Sequence, residues 1–258
     1  MAFEAVKALP LPVEELLAGR RRLVIVPSFN EERSVARVVA EIRSADPGAV
    51  VAVIDDGSVD RTAQIAQQAG ALVLRLPFNL GIGAAVQTGY RYAFEHGFEF
   101  AVRIDGDGQH DASELEVLLA PVLAGDADVA IGSRFIGAEG YRSSRPRRFG
   151  IRLLAWMVSL LVGERVSDVT SGYQAVNRRG IELFARDYPS DYPEVEAAVM
   201  VRRHRLRMVE VGVSMREREH GRSSITVLGS MYYMIRVLLA LGVGIFRRDV
   251  IPLDTAGS

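Results

Sequence analysis

The 258-residue chain predicts an α/β fold, a mostly parallel central sheet flanked by helices, on two observations. Short, continuously apolar runs rich in Val, Ile and Leu alternate with segments of helical pattern, as strands buried on both faces and joined by crossover helices must. Polar clusters follow three of the runs, at the carboxyl ends of strands where ligands bind in such sheets.

The runs place strands at residues 23–26, 50–54, 71–76, 98–104 and 128–131, with helices around 31–43, 60–69, 82–96 and 113–123. The polar clusters are Pro27-Ser-Phe-Asn-Glu31, Asp55-Asp-Gly-Ser-Val-Asp60 and Asp105-Gly-Asp-Gly-Gln109, which the fold would gather into one crevice. Residues 138–148 are polar and basic, with Arg142, Arg145, Arg147 and Arg148; a phosphate-binding lid and a solvated loop fit this composition equally. Apolar helices are expected at 151–162 and 227–246. Arg236 and several glycines argue against a membrane-spanning role for the second, leaving an interfacial, oligomer-forming or simply buried helix. The expected organisation is an N-terminal extension over 1–22, one domain over 23–224, and a carboxyl-terminal apolar helix and tail over 225–258.

Composition excludes several chemistries. With 49% hydrophobic and 24% charged residues the chain builds a core without staples, and a net charge of -1 offers no general attraction to nucleic acid. The absence of cysteine removes thiol catalysis, zinc-thiolate sites and disulfides. Lys7 is the only lysine, which excludes a core Schiff base or a P-loop lysine. The first 22 residues lack a signal-peptide apolar core, so the chain is expected in the cytoplasm.

The most informative stretch is Phe100-Ala-Val-Arg-Ile-Asp-Gly-Asp-Gly-Gln-His110, an apolar run leading into two carboxylates one residue apart and then an amide. Asp105, Asp107 and Gln109 supply hard oxygen ligands suited to Mg²⁺ or Mn²⁺ rather than Zn²⁺. Asp105, Asp107, Gln109, Asp111 and Glu116 also approximate the spacing of a calcium loop. His110 stands where that loop needs glycine, however, and a strand rather than a helix precedes it.

Asp55 and Asp56, at the end of the second strand, suit the N–H groups of a base or the hydroxyls of a ribose, whereas Asp60 reads as a helix cap. Asn79-Leu-Gly-Ile-Gly83 is a weak glycine-loop signal after the third strand, with a helix N-terminus near Ile82 able to bind an anion. Arg134 in Gly132-Ser-Arg134 could clamp a phosphate, as could the basic stretch 216–224; each is also an ordinary loop composition.

Taken in order, Pro27-Ser-Phe-Asn-Glu31, Asp55-Asp-Gly-Ser58, Asn79-Leu-Gly-Ile-Gly83, Asp105-Gly-Asp107, Gly132-Ser-Arg134, Asp168-Val-Thr-Ser-Gly172 and Arg218-x-x-Gly221-x-Ser223 resemble family 2 glycosyltransferases, in particular the dolichyl- and polyprenyl-phosphate sugar synthases. The resemblance spans residues 23–224 and implies a GT-A fold, a nucleotide-diphosphate sugar donor, a divalent cation (Mg²⁺ or Mn²⁺) and inversion at the anomeric carbon. By position it assigns nucleotide contacts to Pro27, Phe29, Glu31, Asp55, Asp56, Gly81 and Asp105, and the metal to Asp105, Asp107 and Gln109. It assigns acceptor or donor phosphate to Arg134 and Arg218; Gly221, Arg222 and Ser223 stand as further phosphate or acceptor candidates, and Asp107, Asp168 and Arg218 as the catalytic candidates. One departure is Gly221-Arg-Ser-Ser224, where the synthases usually carry Gly-x-Ser-Lys.

The expected activity is transfer of a sugar to a polyprenyl phosphate by a peripheral protein at the inner face of the cell membrane, with a homo-oligomer open. A phosphate acceptor is already anionic. A hydroxyl acceptor, on a glycan or lipid-linked saccharide, would need a base, for which Asp168 stands first and Glu194 and Glu196 behind it. The readings from other classes are a sugar-phosphate nucleotidyltransferase, whose basic glycine-rich first loop is missing, and a non-catalytic nucleotide- or calcium-binding module.

Overall fold

The computed structural model describes residues 19, 21–136, 159, 167–168, 171–190 and 193–216. The expectations for the extension 1–18, the basic loop 138–148, both apolar helices (151–162 save Ser159, and 227–246) and the tail lie outside the described residues. Among the described residues no helix is long and apolar enough to cross a membrane.

Seven strands form one sheet in the order β3-β2-β1-β4-β6-β5-β7. β1 (Arg22–Ser28), β2 (Val50–Asp55), β3 (Leu72–Arg75) and β4 (Phe100–Arg103) run parallel, as the apolar runs predict. β5 (Val129–Ser133) pairs in parallel with β7 (Met208–Gly212). Between β4 and β5 lies β6 (Gln174–Asn177), antiparallel to both, with Gln174 opposite Arg103 and Ile131. The start of β6 therefore lies at the edge where β4 and β5 end. β6 and β7 have no counterpart among the expected strands.

β1 shows why its middle, Leu23 to Pro27, is apolar. Val24 and Val26 pack on one face with Val51, Val53 and the inner side of helix α1 (Val35–Ala45). Leu23 and Ile25 pack on the other with Ala52, Ile54 and helix α3 (Ile82–Glu95). Alternate side chains of a strand point to opposite faces, so a sheet covered on both needs an apolar residue at every position. Each such Val, Leu or Ile contributes about 1.5–3 kcal/mol. Helix α2 (Thr62–Gln68) and helix α4 (Leu115–Leu123), the latter entered through a 3₁₀ turn at Ala112–Glu114, share the α1 side; α5 (Arg178–Arg186) and α6 (Pro193–Arg203) share the α3 side.

α1 begins four residues later than the pattern suggests, because residues 31–34 form a turn whose Glu31 carbonyl accepts the N–H groups of Ser34 and Val35. The loops of the site are built from that turn and its neighbours.

Candidate active site

The carboxyl ends of β1, β2 and β4 are tied together by their own backbones. Asp56 N–H donates to Ser28 O at 2.9 Å and Gly106 N–H to Pro27 O at 3.2 Å. Ser34 Oγ lies 2.8 Å from both Gly106 O and Glu31 Oε2, placing the half-buried Glu31 carboxylate beside the Asp105–Asp107 turn. Pro27 is buried in the strand end and Phe29 is exposed at the rim.

Asp55 is wholly buried. Its Oδ1 accepts the Ser58 N–H at 3.1 Å; Oδ2 lies 3.2 Å from Arg75 Nε but receives no aligned hydrogen bond. A buried carboxylate oxygen in that condition carries a desolvation penalty that an N–H or O–H from a ligand would relieve. Asp56 differs from its neighbour. Its two oxygens accept the N–H groups of Leu80 and Gly81 at 2.8 and 2.9 Å. Gly81 adopts φ +93°, a conformation open to glycine, and Gly83 lets α3 approach Ser190, whose Cα would lie 2.6 Å from an added Cβ. The glycine motif is thus explained by the turn and by packing, and the anion at the start of α3 is Asp56 itself. Asp60 lies one residue before Arg61, the N-cap of α2, rather than capping the helix itself, and accepts from the Thr62 hydroxyl, from Thr62 N–H at 2.9 Å and from Glu32 N–H at 3.2 Å. Burial pushes its carboxyl up, but these bonds together outweigh it and hold Asp60 below its ordinary value.

In the acidic turn, Asp107 Oδ1 accepts the backbone N–H of Gln109 and Oδ2 its side-chain N–H, both at 3.0 Å. His110 is buried, stacked on Tyr173 with ring centroids 4.9 Å apart, and its Nδ1 accepts the Asp105 N–H at 3.1 Å. An accepting Nδ1 places the ring proton on Nε2, which lies 4.0 Å from Asp105 Oδ2. Burial, opposed by Asp105 and Asp107, holds the imidazole below its ordinary pKa. His110 entered the sequence reading only as evidence against a calcium loop; here it fixes the backbone of the turn.

Asp105, Asp107 and Gln109 fit a hard divalent cation in ligand chemistry, all three offering oxygen. Among the described residues no three carboxylate or imidazole groups gather as a metal cage.

Sequence reasoning missed Arg103, which is hidden in the apolar run of β4. Its side chain is buried. Nε and Nη2 lie 3.2 and 3.1 Å from Asp105 Oδ1, Nη2 donates to Glu194 Oε1 at 2.8 Å, and Nη1 donates to Tyr188 Oη at 3.3 Å. Burial pushes the guanidinium down, but Asp105, Glu194 and Tyr188 more than compensate and hold it above its ordinary value. Burial likewise raises the Tyr188 hydroxyl to about 12. A charge this deep in a strand, facing two carboxylates from separate elements, is the signal that could have found it.

Arg134 and Asp168 face each other. Arg134 Nε and Nη2 donate to Asp168 Oδ2 and Oδ1 at 2.7 and 2.8 Å, with the Arg134 backbone N–H adding a third bond at 3.2 Å. Asp168 is wholly buried, and its N–H donates to Glu210 Oε1 at 2.8 Å. The candidate base and the candidate phosphate clamp are thus a fork-to-carboxylate pair, and either would have to leave the other to act alone. Glu194, the second base candidate, is the partner of Arg103, and Glu196 lies further along α6.

Arg216 joins the acidic turn to the chain beyond β7. Its N–H donates to Gln109 O at 2.8 Å, while its guanidinium reaches Glu41 at 2.8 Å and Asp111 at 3.0 Å. Arg218, Gly221, Arg222 and Ser223 follow, outside the described residues. A cavity of about 550 Å³ lined by Asp126, Arg202, Arg203, Arg205 and Arg207 sits at the opposite end of the sheet, before β7, and is not this site.

A sheet of this order with an Asp-x-Asp turn at its carboxyl edge is a GT-A fold. A family model, Glycosyl transferase family 2, matches residues 23–183, and the chain belongs to that family. The polyprenol monophosphomannose synthase of Mycolicibacterium smegmatis is 32% identical over 80% of this chain and 82% of its own. The undecaprenyl-phosphate mannosyltransferase of Micrococcus luteus is 31% identical over 80% and 88%. A UDP-N-acetylglucosamine–dolichyl-phosphate N-acetylglucosaminyltransferase of Methanococcus voltae is 23% identical over 88% and 98%. Among solved structures, the glucosyl-3-phosphoglycerate synthase of Mycobacterium tuberculosis, in complex with Mn²⁺, UDP and product, superposes with a TM-score of 0.68 at 22% identity. That match covers 89% of this chain and 82% of that one, and the likeness is one of fold.

Proposed function

We infer that this protein transfers a sugar from a nucleoside-diphosphate donor to the phosphate of a polyprenyl lipid, in one displacement that inverts the anomeric carbon. The observation that carries the choice of acceptor is the pairing of Asp168 with Arg134 and of Glu194 with Arg103. Asp168 and Glu194, two of the three carboxylates considered as a base for a hydroxyl, are each matched to a guanidinium, a poor arrangement for taking up a proton. A lipid phosphate is already a nucleophile and asks for none. The names of the mannosyl and N-acetylglucosaminyl relatives support the same acceptor class.

The donor would lie across the edge where β1, β2 and β4 end. Asp55 would accept a base N–H or ribose hydroxyl at its unbonded oxygen, with Pro27, Phe29 and Glu31 around it. Asp105 and Asp107, with Gln109, would hold a divalent cation against the diphosphate, consistent with the Mn²⁺ and UDP in the neighbour of like fold. Such an ion neutralises charge growing on the departing nucleoside diphosphate. His110 keeps the turn in shape by holding the Asp105 N–H. The acceptor phosphate would be met by Arg218 and Arg222, with Gly221 and Ser223 beside them in the sequence. A lipid acceptor implies work at a membrane surface.

Radiolabelled UDP-, GDP- and dTDP-sugars, offered with Mg²⁺ or Mn²⁺ and with or without a polyprenyl phosphate, test this reading. Metal-dependent label in the organic phase, absent in Asp107→Ala, is expected. Label confined to water-soluble saccharides would replace the lipid phosphate with a hydroxyl acceptor, and released pyrophosphate would indicate nucleotidyl transfer.

A further inference from the structure

Arg103 is placed to do more than neutralise a neighbour. Its Nη2 stands between Asp105 Oδ1 and Glu194 Oε1, so one guanidinium is divided between a carboxylate of the acidic turn and one at the start of α6. Gly172 closes over the arrangement: an added Cβ would fall 2.7 Å from Asp105 Oδ2 and 2.8 Å from Arg103 Nη2. Tyr188, packed on Phe184 and Tyr90, supports the guanidinium from beneath through its oxygen. The fork therefore cannot drift: β4 fixes its root, and three partners fix its head.

A cation on Asp105 and Arg103 would compete for the same negative charge. The more of the guanidinium that Glu194 holds, the less it opposes the ion. We propose that Arg103 is a positioning residue that tunes the cation affinity of the Asp105–Asp107 turn, with Glu194 setting how strongly it does so. This rests on the divalent-cation reading given above and assigns work to two residues which that reading leaves out of the metal site.

The charges of Arg103 and Glu194 make opposite predictions for two variants, which a merely structural role does not. Removing the positive charge in Arg103→Met strengthens binding of Mn²⁺ alone by roughly tenfold, the size expected for one nearby charge in a largely aqueous dielectric. Removing the negative charge in Glu194→Gln leaves Arg103 to Asp105 and weakens Mn²⁺ binding by roughly threefold. Arg103→Lys keeps the charge and is expected to bind Mn²⁺ much as the unaltered chain does. The readout is the free-Mn²⁺ signal in electron paramagnetic resonance during titration of the purified full chain, with circular dichroism as the check on folding. Opposite shifts support the inference; shifts in the same direction, or none, overturn it. If Arg103→Met fails to fold, Glu194→Gln decides: weaker binding supports the inference, and unchanged or tighter binding overturns it. An unaltered chain that binds no Mn²⁺ would overturn the metal site itself, and this inference with it.

Discussion

Asp56 Oδ2 accepts the backbone N–H of Gly81 at 2.9 Å while Oδ1 accepts that of Leu80 at 2.8 Å, so a side chain from the end of β2 already supplies the anion ahead of α3. The loop after β3 is thereby pinned against the loop after β2, and that side of the crevice is shaped by the chain's own bonds.

Replacing Asp56 by alanine releases two backbone donors at once. A loss of about 1–3 kcal/mol in unfolding free energy is expected, together with weaker nucleotide binding. Urea denaturation and a nucleotide titration check the two effects. Wild-type stability in the variant would mean that water satisfies both amides.

Gly172→Ala must displace Asp105 or Arg103, because the new methyl carbon meets both inside normal contact distance. Displacements of this order in a catalytic constellation reduce turnover by up to about 10²-fold, and here the fold should be barely affected. Steady-state rates compared with the melting temperature separate the two.

Asp168→Ala leaves Arg134 buried without its carboxylate, and a broken buried pair of this kind costs about 3–5 kcal/mol. Replacing both residues by apolar side chains of similar volume should recover much of that loss. Chemical denaturation of the single and double variants is the measurement. A double variant as unstable as the single would show that Glu210 and its neighbours, rather than the pair, dominate this corner.

Much of β1, β2 and β4 and of the polar turns that end them was legible in the sequence, because a strand buried on both faces is largely apolar and then gives way abruptly to a polar cluster, as residues 50–54 do at Asp55 and 100–104, apart from Arg103, do at Asp105. β6 escaped because four residues, Gln174-Ala-Val-Asn177, are too short for periodicity to speak, and because antiparallel insertion between two parallel neighbours leaves no local mark. The pairing of Arg134 with Asp168 spans 34 positions, and charge complementarity at that range has no period to detect. Asp55 and Asp56, adjacent and chemically identical, read alike; only the hydrogen bonds reveal that one carries an unbonded oxygen and the other fastens a loop.

Acid titration offers a further check, on Asp128. Burial pushes its carboxyl up, but bonds from Arg207 N–H and Asn177, with the charges of Arg179 and Arg207, outweigh that and hold it below 3.8. The native state therefore releases this proton more readily than the unfolded chain does. The stability Asp128 contributes is full above 3.8 and is lost as the pH falls through the lower native value. Asp128→Asn should show a shallower loss of stability on acidification below that point, measured by urea midpoints against pH; parallel curves would remove Asp128 from the acid response.

The reversed direction of β6 also divides the rim by origin. On the left, the rim is made where strands leave the sheet, above a rigid parallel base in register from β3 to β4. On the right, Asp168, Ser171 and Gly172 sit just before a strand that plunges down through the sheet from the same side. Because β6 pairs with β4 and β5, changes in the residues just ahead of it leave the pairing of β1, β2 and β3 as it is. The two halves of the crevice thus rest on different supports, strand ends on one side and a strand start on the other, a division set by the direction of a single four-residue strand.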